Sequence, residues 1–253
     1  MKTRLDAELV RRGDRITFNH AVYSEITDVL AREKVSEIDG ALFDLGVSSM
    51  QLDFEDRGFS YSRDADLDMR MDQGQKLTAQ IIVDTYDKTN LVRILKQFGE
   101  EKFAVKIADN LIKSRGKIKS TTALADLVKA SIPAPARRTG GNPAKRTFQA
   151  LRIEVNGELE ALEKAIPASL KALKVGGRIV VMSYQSLEDK IIKRKFEEIT
   201  KSRTPLGLPI ELPGSGAKFK ALTRGSESAS AAEISLNSRA QSMRLRAIEK
   251  VAA

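Results

Sequence analysis

The chain has 253 residues, enough for one large domain or two modest ones around a real core. Its 43 Lys and Arg outnumber 34 Asp and Glu, a net charge of +9 that points to a polyanionic partner, nucleic acid first of all. The absence of Cys excludes disulfides, thiolate nucleophiles and cysteine-ligated metals, and a single His, His20, leaves little room for histidine-based metal chemistry. No run of 18 apolar residues and no signal-like start occurs, so a soluble, cytoplasmic protein without membrane association is expected.

Leu5, Leu9 and Val10 stand at helical spacing, which predicts a first helix over 3–12, stopped by Gly13. Alternating Ile16 and Phe18 predict a strand over 14–23. Helical spacing returns over 26–34, and the apolar run ALFDLGV (41–47) reads as a buried parallel strand. Helices are predicted over 78–84, 89–97, 100–113 and 121–130, the last capped by Ser120 or Thr121. The segment PAPARRTGGNP (133–143) is loop chemistry. A helical pattern over 145–173, interrupted at Pro167, leads into the buried strand RIVVMSY (178–184). Strands over 218–223 and 243–251 suggest an antiparallel hairpin at a sheet edge. The alternation predicts an α/β fold with helices on both faces of a mostly parallel sheet, interrupted by an all-helical insertion near 64–142.

The charge is concentrated. Between Lys102 and Arg152 twelve Lys or Arg face two acids, Asp109 and Asp126, so this fifth of the chain carries +10 and the remainder is near neutral. Such a window is either a solvated helix face or an anion-binding surface. Arg137, Arg138, Lys145 and Arg146 flank the Gly140-Gly141 turn, where a loop can present four cations to a phosphate backbone.

In open α/β sheets ligands lie outside the carboxyl ends of the strands, which selects three segments. At the first, Asp44 emerges from a buried strand and is followed by Gly46, Ser48 and Ser49; it can accept a hydrogen bond from an amino group or simply cap the turn. At the second, Tyr184 offers a stacking face and Gln185 an amide to read a base edge, while Ser186 and Asp189 have the spacing of a capping box. At the third, Tyr23 stands where it can meet a flat cofactor. No metal site is expected: Asp64, Asp66 and Asp68 begin like a calcium loop, but Met69 and Gln75 occupy the positions that need Gly and Glu. No phosphate-binding glycine motif occurs.

DLGVSSMQLD (44–53), RGFSYSRDADLDMRMD (57–72), FGEEKFAVKIA (98–108), NPAKRTFQALRIEVNGELEAL (142–162), GGRIVVMSYQSLEDKIIKR (176–194) and NSRAQSMRLRAIEK (237–250) follow one another over nearly the whole chain. Together they resemble the ribosomal RNA small subunit methyltransferase H family. The resemblance implies S-adenosylmethionine-dependent methylation of the exocyclic N4 of a cytidine in the decoding region of 16S rRNA, within the small ribosomal subunit. It also implies a Rossmann-like methyltransferase domain (1–63 and 143–253) carrying a helical RNA-recognition subdomain (64–142). Members of that family open with a strand and a glycine-rich D-x-T-x-G-x-G-G-H loop that is absent here, so the domain is expected to be truncated at its N terminus and to bind the cofactor weakly. The cofactor contacts carried over are Asp44 and Gln51, with Tyr23 where the family usually has Phe. Tyr184-Gln185 stand where Phe-His is commoner, so no imidazole base is available. Asp44 is the expected catalytic acceptor, and the lack of Cys agrees with attack through nitrogen, since attack at cytosine C5 usually needs a thiolate. A non-catalytic RNA-binding remnant and a basic helical adaptor stay open as alternatives.

Overall fold

The computed structural model describes residues 15–48, 51, 57–137, 141–202, 204 and 215–252. The expected first helix and Arg138 lie outside them. Two apolar clusters organise the described residues, one among helices and one on a sheet.

The helical cluster is built from short amphipathic helices whose starts are fixed by side-chain caps. Thr78 accepts from the Ile81 N–H before α2 (Ala79–Thr85), Asp87 from Asn90 before α3 (Lys88–Gln97), and Ser120 from Ala123 before α5 (Thr121–Ser131). With α4 (Ala104–Lys113), these bury residues three and four apart, such as Leu91, Ile94 and Leu95, or Ile107, Ala108 and Leu111. Thr121, the alternative cap, is instead buried with its hydroxyl on the Arg63 carbonyl. The expected loop at 133–143 contains one helical turn, α6 (Ala134–Arg137). Helix α7 (Lys145–Asn156) joins this cluster through Phe148, Leu151 and Val155, so the helical packing extends past residue 142.

One residue, Gly157, separates α7 from α8 (Glu158–Ala172). Its φ of 60° is the left-handed conformation that glycine adopts without a Cβ penalty, and it lets the chain turn at once from the helical cluster toward the sheet. Pro167 lies inside α8 and does not end it. Helix α8 packs on α9 (Ser186–Ile199) and on α1 (Ile26–Arg32). Leu162 and Ile166 of α8 meet Ile192 and Phe196 of α9 over the sheet residues Phe43, Ile179, Val181 and Ile248.

The sheet order is β1-β2-β4-β3, from β1 (Ile38–Asp44), β2 (Leu173–Ser183), β4 (Arg244–Lys250) and β3 (Phe219–Ala221). Strands β1 and β2 are parallel, whereas β2–β4 and β4–β3 are antiparallel, so the expectation of a mostly parallel sheet is corrected for the described strands. The late edge hairpin pairs as expected. Buried residues alternate along β2, and in β1 Phe43 points inward while Leu42 is 67% exposed; the runs read as buried on both faces are each covered on one. The strand expected over 14–23 is absent: residues 16–20 join no ladder, Phe18 and Val22 are exposed, and Tyr23–Glu25 form a 3-10 turn that the Glu25 carboxylate closes on the Val22 N–H. Apolar alternation there has no neighbouring strand to pair with. No described helix is long and apolar enough to cross a membrane.

Helix α9 is tied to β4 by Asp189, which is 7% exposed and accepts from Arg246 through two bonds of 2.8 and 3.1 Å and from Arg244 at 3.2 Å. Burial pushes the Asp189 carboxyl up, but the two guanidiniums more than reverse this and hold it below the usual carboxylate range. A depressed folded pKa contributes stability above the unfolded value of about 3.9 and loses it as pH falls through the folded value. Urea denaturation should therefore show the parent losing stability below about pH 4 more steeply than Asp189→Asn. At neutral pH, Asp189→Ala should cost about 3–5 kcal/mol by stranding Arg246, and an unchanged urea midpoint would show that the pair contributes nothing.

Candidate active site

Strands β1 and β2 run in the same direction, so their carboxyl ends open on the same side of the molecule. The register sets Asp44 beside Met182, two residues before Tyr184. The Tyr184 hydroxyl donates to Asp44 Oδ1 at 3.1 Å, joining the two strand ends across 140 residues of sequence. Burial first, then the Asp44 charge and this hydrogen bond, push the Tyr184 hydroxyl up to about 12, so at neutral pH it remains a donor. Asp44 is exposed, and its Oδ2 has no hydrogen-bond partner among the described residues.

The turn after Tyr184 is held from beneath by Glu188, which is 2% exposed. Its Oε2 accepts from the backbone N–H of Tyr184 at 3.0 Å and of Gln185 at 3.3 Å, and its Oε1 accepts from Gln185 Nε2 at 3.0 Å. The cap of α9 is thus Gln185 with Glu188 at the third position, one residue earlier than the expected Ser186–Asp189 box. Glu has the extra methylene needed to reach back, and Asp189 is engaged with β4. With its amide nitrogen spent on Glu188, Gln185 has a buried carbonyl oxygen that meets no donor, a state that costs about 1–3 kcal/mol. Burial raises the Glu188 carboxyl; Gln185, Tyr184 and the Arg152 charge act against that rise.

Arg152 grips Glu158 across the Gly157 joint with bonds of 2.8 and 2.9 Å, the carboxylate being 6% exposed. The Glu158 carbonyl accepts from the Tyr23 hydroxyl at 2.9 Å, and the Tyr23 ring stands edge-on to Phe43 at 6.1 Å. That hydroxyl is shut away although 37% of the residue remains open, and burial together with Glu158 and Glu188 raises it well above an ordinary phenol.

A cavity of about 600 Å³ lies between the helical cluster and the end of β2. Tyr184, Gln185 and Ser186 form one side, and the 99–103 segment with Lys145, Arg146 and Gln149 forms the other. Glu100, at a φ of 48°, bridges the two sides by accepting from Ser186 Oγ at 2.7 Å and Lys190 Nζ at 2.6 Å. The Lys190 and Ser186 hydrogen bonds hold its carboxyl below the ordinary range. Three cations, Lys102, Lys145 and Arg146, and two acids, Glu100 and Glu101, line the space, whose volume is that of a nucleotide site.

The structure thus brings together Asp44, Tyr184, Gln185, Lys145 and Arg146 around the strand ends and the cavity. Arg137 is half-buried with Nε on the Ile132 carbonyl at 2.6 Å. Gln51 is engaged locally, donating its N–H to Ser48 Oγ while its Oε1 accepts from the Ser48 N–H. Tyr23 packs on Phe43 and is tied to the Glu158 carbonyl, with part of the residue open. Sequence reasoning missed Lys102, Glu100, Glu188 and the Arg152–Glu158 pair. The Glu three residues after Gln185 was a legible cap signal, whereas Arg152 was counted with the basic window.

The sequence profile of the MraW methylase family matches residues 2–251. The chain belongs to the MraW methylase family. Its α/β architecture is accordingly Rossmann-like. It is 59% identical over 241 residues to a protein named ribosomal RNA small subunit methyltransferase H in Mycolicibacterium smegmatis, covering 94% of this chain and 65% of that protein. Like-named proteins of Mycobacterium sp. (strain KMS) and Saccharopolyspora erythraea are 57% and 55% identical, over 95% and 96% of this chain and 65% and 74% of theirs. The chain therefore spans about two thirds of the length of these relatives. A MraW methylase implies a methyl donor of the S-adenosylmethionine type. At the end of β1, Asp44 is open, and Gly46 turns in the left-handed region with no atom within 4 Å of where a Cβ would stand.

The Tyr184–Asp44 bond can be read without any activity assay. Asp44→Asn should bring the Tyr184 ionisation down from about 12 toward that of an ordinary phenol, seen as tyrosinate absorbance appearing at lower pH. Tyr184→Phe in the same background should remove that component. Identical titrations of parent and Asp44→Asn would show that the two groups do not interact.

Proposed function

We propose that this MraW methylase chain acts in S-adenosylmethionine-dependent methylation of the exocyclic N4 of a cytidine in the decoding region of 16S rRNA, on the small ribosomal subunit in the cytoplasm. The observation that carries the proposal is the pairing of Asp44 with Tyr184 at adjacent parallel strand ends, beside a nucleotide-sized cavity whose lining includes Lys102, Lys145 and Arg146 as well as Glu100 and Glu101. The names of the relatives support an RNA substrate, and the motifs from 44–53 to 237–250 support the nitrogen and the nucleotide.

In this reading Tyr23, Asp44 and Gln51 border the cofactor, which when bound supplies a methyl group on a positively charged sulfur. A cytosine amino group is a poor nucleophile because its lone pair is delocalised into the ring. The protein's work is therefore to hold that nitrogen in line and to accept its hydrogen bond as it pyramidalises. Asp44 does so with Oδ2 while Tyr184 fixes the carboxylate through Oδ1. Tyr184 also supplies a face against which an extruded base stacks, and Gln185 meets the base edge. The helical subdomain, residues 64–142, inserted between residues 1–63 and 143–253, guides the RNA, with Arg137, Arg138, Lys145 and Arg146 on its phosphates.

Asp44→Asn should slow methyl transfer to small subunits about 30- to 1000-fold, the effect of losing an aimed charged acceptor worth roughly 2–4 kcal/mol, and should leave RNA binding in place. A parental rate would reduce Asp44 to a turn residue. Replacing Arg137, Arg138, Lys145 and Arg146 together by Ala should lower the salt slope of RNA binding by about 3 units. An unaltered slope would place these cations off the RNA path.

A further inference from the structure

We propose that the Glu100 carboxylate is a placeholder for a backbone phosphate of the RNA: in the free chain it holds Ser186 and Lys190 beside the cavity, and a phosphate takes its place when a strand binds. Lys190, which lies outside the basic window of the sequence, thereby becomes an RNA contact. The inference rests on the reading that an RNA strand enters this cavity.

The two acids of the lining differ in what a ligand can reach. Glu101 is 5% exposed and accepts from the Phe103 N–H at 2.9 Å, so its charge is turned into the protein. Glu100 is open, its side chain 44% exposed, and that of Lys190 is 64% exposed. Ser186 and Lys190 stand four residues apart on α9 and share one helix face, and the Glu100 carboxylate takes one donor from each, at 2.7 and 2.6 Å. Water competes with an exposed pair of this kind, so an incoming anion displaces it at little cost. A phosphodiester is the matching anion. It carries the same single charge, and its two free oxygens accept from a hydroxyl and an ammonium group as a carboxylate does. The cations of the lining favour the exchange: the Lys102 and Lys145 side chains have no partner among the described residues, and Arg146 spends one nitrogen on the Glu100 carbonyl at 3.1 Å. Ser186 also adjoins Tyr184 and Gln185 in the lining, so the donor for a phosphate stands next to the surface offered to a base. Finally, Glu100 has a φ of 48°, a conformation that glycine takes without strain, and glycine would suit the position better were the carboxylate idle.

The test measures binding of a short fluorescent oligocytidylate by anisotropy, at one fixed salt concentration, in a double-mutant cycle. Glu100→Gln, which keeps the side chain's shape but not its charge, should tighten binding about three- to fivefold, the size of one exposed ion pair released. In a Lys190→Met background the same change should gain almost nothing, because no cation is left to free. A gain of equal size in both backgrounds would mean that the acid merely repels the strand from a distance, and overturns the proposal. Unchanged or weaker binding by Glu100→Gln overturns it too, and makes the bridge a structural tie. Glu100→Gly, which suits the left-handed backbone, replaces the Gln variant should that one fail to fold, with the same expected outcomes. In both of these failures the parent still binds the strand and the RNA reading stands; a parent chain without measurable binding defeats that reading, and the proposal with it.

Discussion

Between α7 and α8 the chain has a single residue in which to leave the helical cluster and enter the sheet, and the ion pair of Arg152 with Glu158 spans that joint. Both groups are largely removed from water, so neither is tolerable without the other. The pair is more than a local clamp. The Glu158 carbonyl carries Tyr23, whose ring backs Phe43 one residue before Asp44. The Arg152 charge is felt at Glu188, which carries the turn of Tyr184 and Gln185. The end of β1 therefore rests through Tyr23 on this joint, and the charge of its buried cation acts on the carboxylate beneath the end of β2.

This arrangement separates support from contact. Glu188, Glu158 and Arg152 are covered, whereas Asp44 is exposed and Tyr184 and Gln185 line or border open space. Rigid groups beneath and open groups above is the pattern expected of a preorganised site, in which hydrogen-bonding partners stand in place before a ligand arrives. The cost is visible at Gln185, whose amide is half satisfied, and at Glu100, a non-glycine residue held in the left-handed region where it bridges the cavity's two sides.

Much of the fold was legible because local signals agreed with one another. Helical spacing marked α2, α3 and α5 to within a residue or two, and Ser120 was legible as a cap of the last. Signals that depend on distant neighbours were not legible. Ile16 and Phe18 alternate like a strand, but a strand exists only where another lies beside it. Pro167 has the chemistry of a helix stop, yet packing of α8 on the sheet carries the helix through it. The strand-end rule singled out Asp44 and Tyr184 separately, and only the parallel pairing of β1 with β2 makes them partners. Counting charge marked a basic window without telling free cations from spent ones: Lys145 and Arg146 line the cavity, whereas Arg152 is consumed by an acid six residues on, a spacing that no helical rule flags because the Gly157 turn creates it.

The claim on which this account depends is that the buried cation at the Gly157 joint holds the turn that presents Tyr184 and Gln185. Amide hydrogen exchange tests it directly in Arg152→Met. Without the guanidinium, burial and the Glu158 charge, which favour a proton on Glu188 and looser backbone bonds, are opposed only by the Gln185 and Tyr184 hydrogen bonds. The N–H groups of Tyr184 and Gln185 should then exchange at least about tenfold faster relative to those of Val181 and Ile248 in the sheet, a ratio that separates local opening from global loss of stability. If that ratio stays at its parental value in a folded Arg152→Met protein, the turn is held independently of the joint and the account is contradicted.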